Sequence, residues 1–222
     1  MALSRVAVQK LYTRRADHYS PFLGACRSPR GFQALLERSR FLRPGLRVLD
    51  AGCGSGKATF VLLELLRQQQ FDYQRVDAFD LTPAVLDRFQ RVVGALGIAR
   101  VRLCQADVLA LGALPSSWTE YDLILSVSML EYLPKEELSR ALSGLRARLA
   151  PGGNMVVVIT RKTAETKILI EWLWHAERYT KKELLLAFET AGFRDPSFLT
   201  FPWPYFWLNR ASYVVAASRS SI

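Results

Sequence analysis

The chain has 222 residues, 50% hydrophobic and 23% charged, with 13 Gly and 10 Pro, a composition that excludes collagen-like, low-complexity and disordered classes and suits one folded domain with additions. Thirty Lys and Arg against twenty Asp and Glu give a net charge of +10, an excess that points to an anionic partner. Residues 1–50 carry +7 of it, so the basicity belongs to a local N-terminal element and not to a chain-wide polyanion-binding face. Cys26, Cys53 and Cys104 are odd in number and far apart, and no ligand spacing is present, so neither a disulfide framework nor a structural zinc is expected. The longest uncharged stretch, Pro196 to Asn209, is shorter than the ~20 residues of a membrane span and is broken by Pro202 and Pro204. The start, with Arg5, Lys10, Arg14 and Arg15 before the first acid, has a transit-peptide character but no apolar signal core, and a cytoplasmic protein is the simplest expectation.

In chain order, Leu3, Ala7 and Leu11 recur at helical spacing, and Phe32, Leu35 and Leu36 predict a second helix before Pro44-Gly45. An apolar run over Arg47–Asp50 predicts the first strand, followed by a glycine turn and a helix to about Gln69. A second strand is expected over Arg75–Asp80, a helix from Pro83 to near Gly97, and a third strand over Val101–Ala106. Tyr121–Ser126 reads as strand four, Lys135 to Leu149 as a helix, Pro-Gly-Gly at 151–153 as a turn, and Met155–Thr160 as strand five. Five strands alternating with helices predict an α/β, doubly wound, mostly parallel sheet. Thr180 to Glu183 is a capping box for a helix that Gly192 can close. Phe198–Leu208 and Ala211–Ser218 then follow with no helix between them, which predicts an antiparallel hairpin at one end of the sheet. If extended, Phe201, Trp203, Tyr205 and Trp207 would share one face.

The sharpest motif is Val-Leu-Asp-Ala-Gly-Cys-Gly-Ser-Gly at 48–56, a strand ending in a turn that runs into a helix. Gly52, Gly54 and Gly56 allow positive φ and leave no Cβ to hold a ligand off the backbone. A dinucleotide turn wants Gly or Ala where Lys57 stands, and a phosphate loop wants Gly at Ala51 and a hydroxyl residue at Ala58, so NAD and ATP or GTP are both disfavoured.

Glycines at alternate positions after the strand-end acid Asp50 resemble the first motif of class I S-adenosylmethionine-dependent methyltransferases. The resemblance continues through Asp80-Leu81 at the end of strand two, Gln105-Ala-Asp107-Val108 after strand three, Tyr121 to Ser126 as strand four, and Leu149 to Gly153 before strand five. It covers about residues 45–160. The resemblance implies a seven-stranded Rossmann-like sheet and S-adenosyl-L-methionine as cofactor. It further implies that Asp50 orients the turn or the methionine amine, that Asp80 with Leu81 accepts from the ribose hydroxyls, that Asp107 and Val108 frame adenine, and that Ser126 lies beside the methionine part. Asp122, at the start of strand four, reads as structural.

The acceptor side is less determined. After strand four, Met129-Leu-Glu131-Tyr132 looks like the small-molecule branch of the family, which often carries Glu-His there; Tyr132 replaces the His, leaving Glu131 or Tyr132 as candidate bases. The Asn/Asp-Pro-Pro-aromatic signature of nucleic-acid amino-methyltransferases is absent, so nucleic acid is disfavoured as substrate. His175, in the aromatic stretch Trp172-Leu-Trp174-His, is a further candidate base. Tyr12 to Tyr19 resembles the opening of ubiquinone/menaquinone-biosynthesis-type methyltransferases, which implies a lid in which Tyr19 closes over the cofactor. The expected organisation is a helical lid over 1–44 and a cofactor-binding domain over 45–222, with an insert and hairpin at 161–222 facing the substrate. The expected activity is methyl transfer to a small, hydrophobic or lipid-like acceptor, with peripheral contact to an anionic membrane. The rivals are a non-catalytic cofactor-binding protein and an RNA methyltransferase using the basic arm.

Overall fold

A computed structural model describes residues 28–163 and 176–220. The expected first helix, His18, Tyr19 and the insert with His175 lie outside the described residues. The elements are α1 (Ser28–Glu37), β1 (Leu46–Ala51), α2 (Lys57–Gln68), β2 (Tyr73–Asp80), α3 (Pro83–Ala95), β3 (Val101–Gln105), β4 (Tyr121–Val127), α4 (Leu138–Arg148), β5 (Leu149–Thr160), α5 (Lys181–Thr190), β6 (Arg194–Leu199), the single-turn α6 (Leu208–Ala211) and β7 (Ser212–Ser218).

The seven strands form one sheet in the order β3-β2-β1-β4-β5-β7-β6. β1 to β5 are mutually parallel, and β7 runs antiparallel between β5 and β6. The central strands are apolar on both faces because helices cover both. Val48 and Leu123 pack with α1 and α2, through Phe32, Leu36 and Leu62; Leu49 and Ile124, one residue on, point the other way and pack with α4 and α5, through Leu142 and Phe188. The strand order reverses between β1 and β4, where a crevice opens at the carboxyl ends of the strands. Register brings Asp50 of β1 level with Ala78 of β2 and Leu125 of β4, so Asp50, Asp80 and Ser126 all arrive at that rim. Among the described residues, no helix is long and apolar enough to cross a membrane.

The doubly wound sheet, its antiparallel end and the Thr180 capping box match the expectation; the Thr180 side chain accepts from the Glu183 N–H at 3.2 Å and Glu183 accepts from the Thr180 N–H at 2.7 Å. Two boundaries differ for physical reasons. β5 begins at Leu149, so Pro-Gly-Gly at 151–153 is an irregularity carried within the strand, where the register against β4 shifts between Tyr121 and Leu123. Only glycine fits at 153, since a Cβ there would lie 2.5 Å from the Tyr121 carbonyl oxygen. The expected strand Phe198–Leu208 ends at Leu199. Pro202 and Pro204 have no N–H for a ladder, and Asn209 ties off the loop: its Oδ1 accepts from the Phe201 N–H at 2.9 Å and its Nδ2 donates to the Phe201 carbonyl at 3.1 Å. No shared aromatic face forms: Phe201 is buried, whereas Trp203 is 81% exposed.

Candidate functional site

The glycine turn is built around the two strand-end acids. Gly52, Gly54 and Gly56 all have positive φ, at 74°, 53° and 87°, but they are glycine for different reasons. A Cβ on Gly52 would collide with Met129, and one on Gly56 would collide with the Phe89 ring of α3; both let neighbouring elements close against the turn. Gly54 has open space on that side, so its backbone face is available to a ligand.

Asp80 braces the turn. Its Oδ2 accepts from the Gly54 N–H and its Oδ1 from the Thr82 N–H, both at 2.9 Å. Burial pushes its pKa above the ordinary carboxylate range, and these N–H donors oppose the rise. Asp50 is buried at the end of β1, where Thr59 Oγ1 donates to its Oδ2 at 2.6 Å. Its Oδ1 has no hydrogen-bond partner, and neither does the buried Ser126 Oγ at the end of β4. Burial raises the Asp50 pKa to about 6, with the negative charge of Asp80 adding to the rise. A buried polar atom without a partner costs about 1–3 kcal/mol; two of them, beside open glycine backbone and two carboxylates, suit a ligand that brings polar or positively charged groups. At the end of β3, Gln105 Nε2 donates to the Leu81 carbonyl at 3.2 Å. The half-buried Asp107 accepts the Leu109 N–H at 2.8 Å and so shapes the turn that carries buried Val108.

Beyond β4, residues Leu130–Tyr132 make one 3₁₀ turn. Glu131 is buried, and Thr160 Oγ1 at the end of β5 donates to its Oε1 at 3.0 Å. Its Oε2 has no partner, and burial raises its pKa to about 7. The Glu131 carbonyl accepts from the Glu177 N–H at 2.6 Å, which ties this turn to the segment that carries Tyr179. The Tyr179 hydroxyl is also buried without a partner, and burial with the charge of Glu131 pushes its pKa up. Tyr132 is half-buried beside Glu131. Asp122 lies away from this rim and pairs with Arg43 at 2.7 Å and Arg47 at 3.2 Å, the structural role expected of it.

A cleft of about 110 Å³, open to solvent, starts where the glycine turn ends. Lys57 and Ala58 of α2, Val127 and Ser128 after β4, and Phe32 and Phe201 are among the residues that line it. Ser128 holds φ at 53° and donates its N–H to the Val158 carbonyl at 2.9 Å. Burial lowers the Lys57 pKa below the ordinary lysine value.

The motif reading thus meets one rim that gathers Asp50, Gly54, Asp80 and Ser126, with Asp107 and Val108 on the neighbouring β3 turn. It missed Thr59, Thr160, Tyr179 and Ser128. Thr59 had a signal, lying in the first turn of the helix that follows the glycines, and Ser128 had one in following β4 directly; Thr160 and Tyr179 are brought in by chain pairings distant in sequence.

A family model described as a methyltransferase domain matches residues 48–153. Trans-aconitate 2-methyltransferase of Deinococcus radiodurans is 31% identical over 148 residues, covering 66% of this chain and 49% of that protein. Malonyl-(acyl-carrier protein) O-methyltransferase of a Paenibacillus species is 29% identical over 125 residues, covering 56% and 42%. The chain therefore spans half or less of the length of these two relatives. Magnesium protoporphyrin IX methyltransferase of Synechocystis, solved with bound S-adenosylhomocysteine, has a similar fold, with a TM-score of 0.70 at 18% identity over 98% of this chain and all of that one. With a mostly parallel seven-stranded sheet and the glycine turn at the end of β1 inside the matched segment, residues 48–153 carry a methyltransferase domain, and the fold is that of the class I S-adenosylmethionine-dependent methyltransferases.

Proposed function

We propose that the chain transfers the methyl group of S-adenosyl-L-methionine to a small hydrophobic acceptor held in the cleft beside the glycine turn. The observation that carries this reading is the lining of that cleft: among the described residues, Phe32, Val61, Val127, Val158, Phe201 and Leu208 dominate, with Lys57, Ser128 and Ser212 as polar side chains. Such a wall favours an apolar body with one or two polar handles.

When bound, the cofactor supplies an electrophilic methyl on a sulfonium with a neutral thioether leaving group, so the protein's tasks are alignment and exclusion of water. In this reading Gly54 admits the ligand against the backbone, and Gly52 and Gly56 shape the turn. Asp50 Oδ1 and Ser126 Oγ take its polar groups; Asp80 and Leu81 hold the ribose; Asp107 and Val108 frame the adenine. Residues 1–44 cover the acceptor side, with Tyr19 over the cofactor, a role supported by Pro29 and Phe32 of α1 in the cleft wall. Glu131 Oε2 accepts the proton lost by the acceptor, flanked by Tyr132; a carboxylate with a pKa at about 7 suits that task. His175 is the second candidate for it.

Methyl-labelled cofactor offered with a panel of hydrophobic acceptors and small polar acids tests the assignment. Label is expected in an organic-soluble product together with S-adenosylhomocysteine. Label confined to a polar acid or to RNA, or cofactor binding without turnover of any acceptor, would overturn it. With the acceptor so found, activity should rise with pH through about 7 as Glu131 loses its proton. Glu131→Gln should remove that limb and lower kcat by about 10²–10³, with cofactor affinity unchanged.

A further inference from the structure

Residues 202–207, Pro-Trp-Pro-Tyr-Phe-Trp, bridge β6 and α6, and their setting separates two kinds of apolar residue. Phe201 and Leu208, at the ends of the loop, are buried and line the cleft together with Pro29 and Phe32. α1 sits so close that a Cβ on Gly31 would strike Leu208 and press on Tyr205. Trp203 and Phe206, by contrast, are 81% and 58% exposed, and Trp207 is 36% exposed. Among the described residues, the ring contacts of Phe206 and Trp207 stay within the loop: Phe206 meets Trp207 at 6.1 Å and Tyr205 meets Trp207 at 5.7 Å between centroids. The clamp from Asn209 to both backbone groups of Phe201 anchors the loop, so the three rings are presented on a held support. Large exposed aromatic residues clustered in this way mark an interaction surface.

Charge selects the partner. From Pro196 to Ile222 the sequence has Arg210 and Arg219 and no acid. Arg210 is exposed beside the loop, and Arg30 is exposed at the start of α1, next to the cleft residue Pro29. In the sequence before Arg30, five Lys and Arg stand against the single acid Asp17, the same sign of charge. Trp and Phe settle at the boundary between headgroups and acyl chains, while neighbouring cations are drawn to anionic headgroups. We propose that loop 202–207, with Arg30 and Arg210, docks on an anionic lipid bilayer and sets the mouth of the cleft at the lipid surface, so that an acceptor dissolved in the membrane enters without crossing water. The delivery step rests on the hydrophobic-acceptor reading of the same cleft; the docking itself does not.

Co-sedimentation of the full chain with phosphatidylcholine vesicles, with and without about 30% phosphatidylserine at about 0.1 M salt, tests the docking. Partition onto the anionic vesicles is expected to be about tenfold greater or more. The double variant Trp203→Ser with Phe206→Ser should lose about tenfold or more of it. Arg30→Glu with Arg210→Glu should erase the preference for anionic lipid. Both double variants should keep the affinity for S-adenosylhomocysteine, which shows that they fold. Equal partition onto the two vesicle types, or anionic binding indifferent to the aromatic pair, would overturn the proposal. No acceptor is present in this experiment, so its failure leaves the acceptor reading standing, and an acceptor panel without a hydrophobic product leaves the vesicle result standing.

Discussion

The environments of two buried acids, Asp50 and Glu131, tie stability to pH. Each is buried, each accepts one threonine hydroxyl, and each keeps one oxygen without a partner. Their pKa values rise from 3.8 to about 6 and from 4.5 to about 7. A group that holds its proton more tightly when folded favours the fold at low pH. That contribution fades as pH climbs from about 4 to 7, and above that range the buried charge costs up to about 3 kcal/mol for each residue. Asp50→Asn and Glu131→Gln preserve the threonine hydrogen bonds and remove the charge. In urea unfolding without ligand, each variant should match the parent near pH 4.5 and exceed its stability at pH 8 by about 1–3 kcal/mol. A difference that stays flat across this range would show that neither acid is held in a low-dielectric setting.

Among the elements, the turn from β1 to α2 separates packing from binding. Gly56→Ala places a methyl against the Phe89 ring at a φ of 87°, so it should cost about 2–4 kcal/mol of stability. Gly54→Ala meets open space at a φ of 53°, should cost about 1 kcal/mol, and should weaken cofactor binding about tenfold or more, because its methyl would enter the open space proposed to admit the cofactor. Thermal melts beside cofactor titrations distinguish the two; equal losses of stability would refute the division. The elements most legible in the sequence were those whose local signals agree: the apolar runs of β1, β2 and β4, the glycine turn, and the Thr180 capping box. The aromatic run at 201–207 reads as a strand by composition, but its prolines withdraw ladder donors and Asn209 folds it back. Pro-Gly-Gly at 151–153 reads as a turn because local propensity does not reveal that the Tyr121 carbonyl crosses closely above Gly153. The pairings of Glu131 with Thr160 and of Asp80 with the Gly54 N–H join residues far apart in sequence, which no local pattern encodes.

For the whole molecule, the initial charge excess acquires a location. Arg43 and Arg47 are engaged with Asp122, and Arg75 and Arg102 with buried Asp77, so these arginines serve the fold, while Arg30 and Arg210 remain exposed beside the cleft. The sheet brings its strand ends to one rim, with the acids Asp50 and Asp80 at the ends of β1 and β2 and the apolar cleft beyond β4. At this rim, Asp80 and the glycine turn are proposed to hold S-adenosylmethionine. Calorimetric titration of S-adenosylhomocysteine into the parent chain and into Asp80→Ala tests this proposal most directly. One site per chain is expected, with binding weakened by about 1.5–3 kcal/mol in the variant, the scale of a lost hydrogen bond to a charged group; no binding by the parent, or equal affinity in the two proteins, would contradict it.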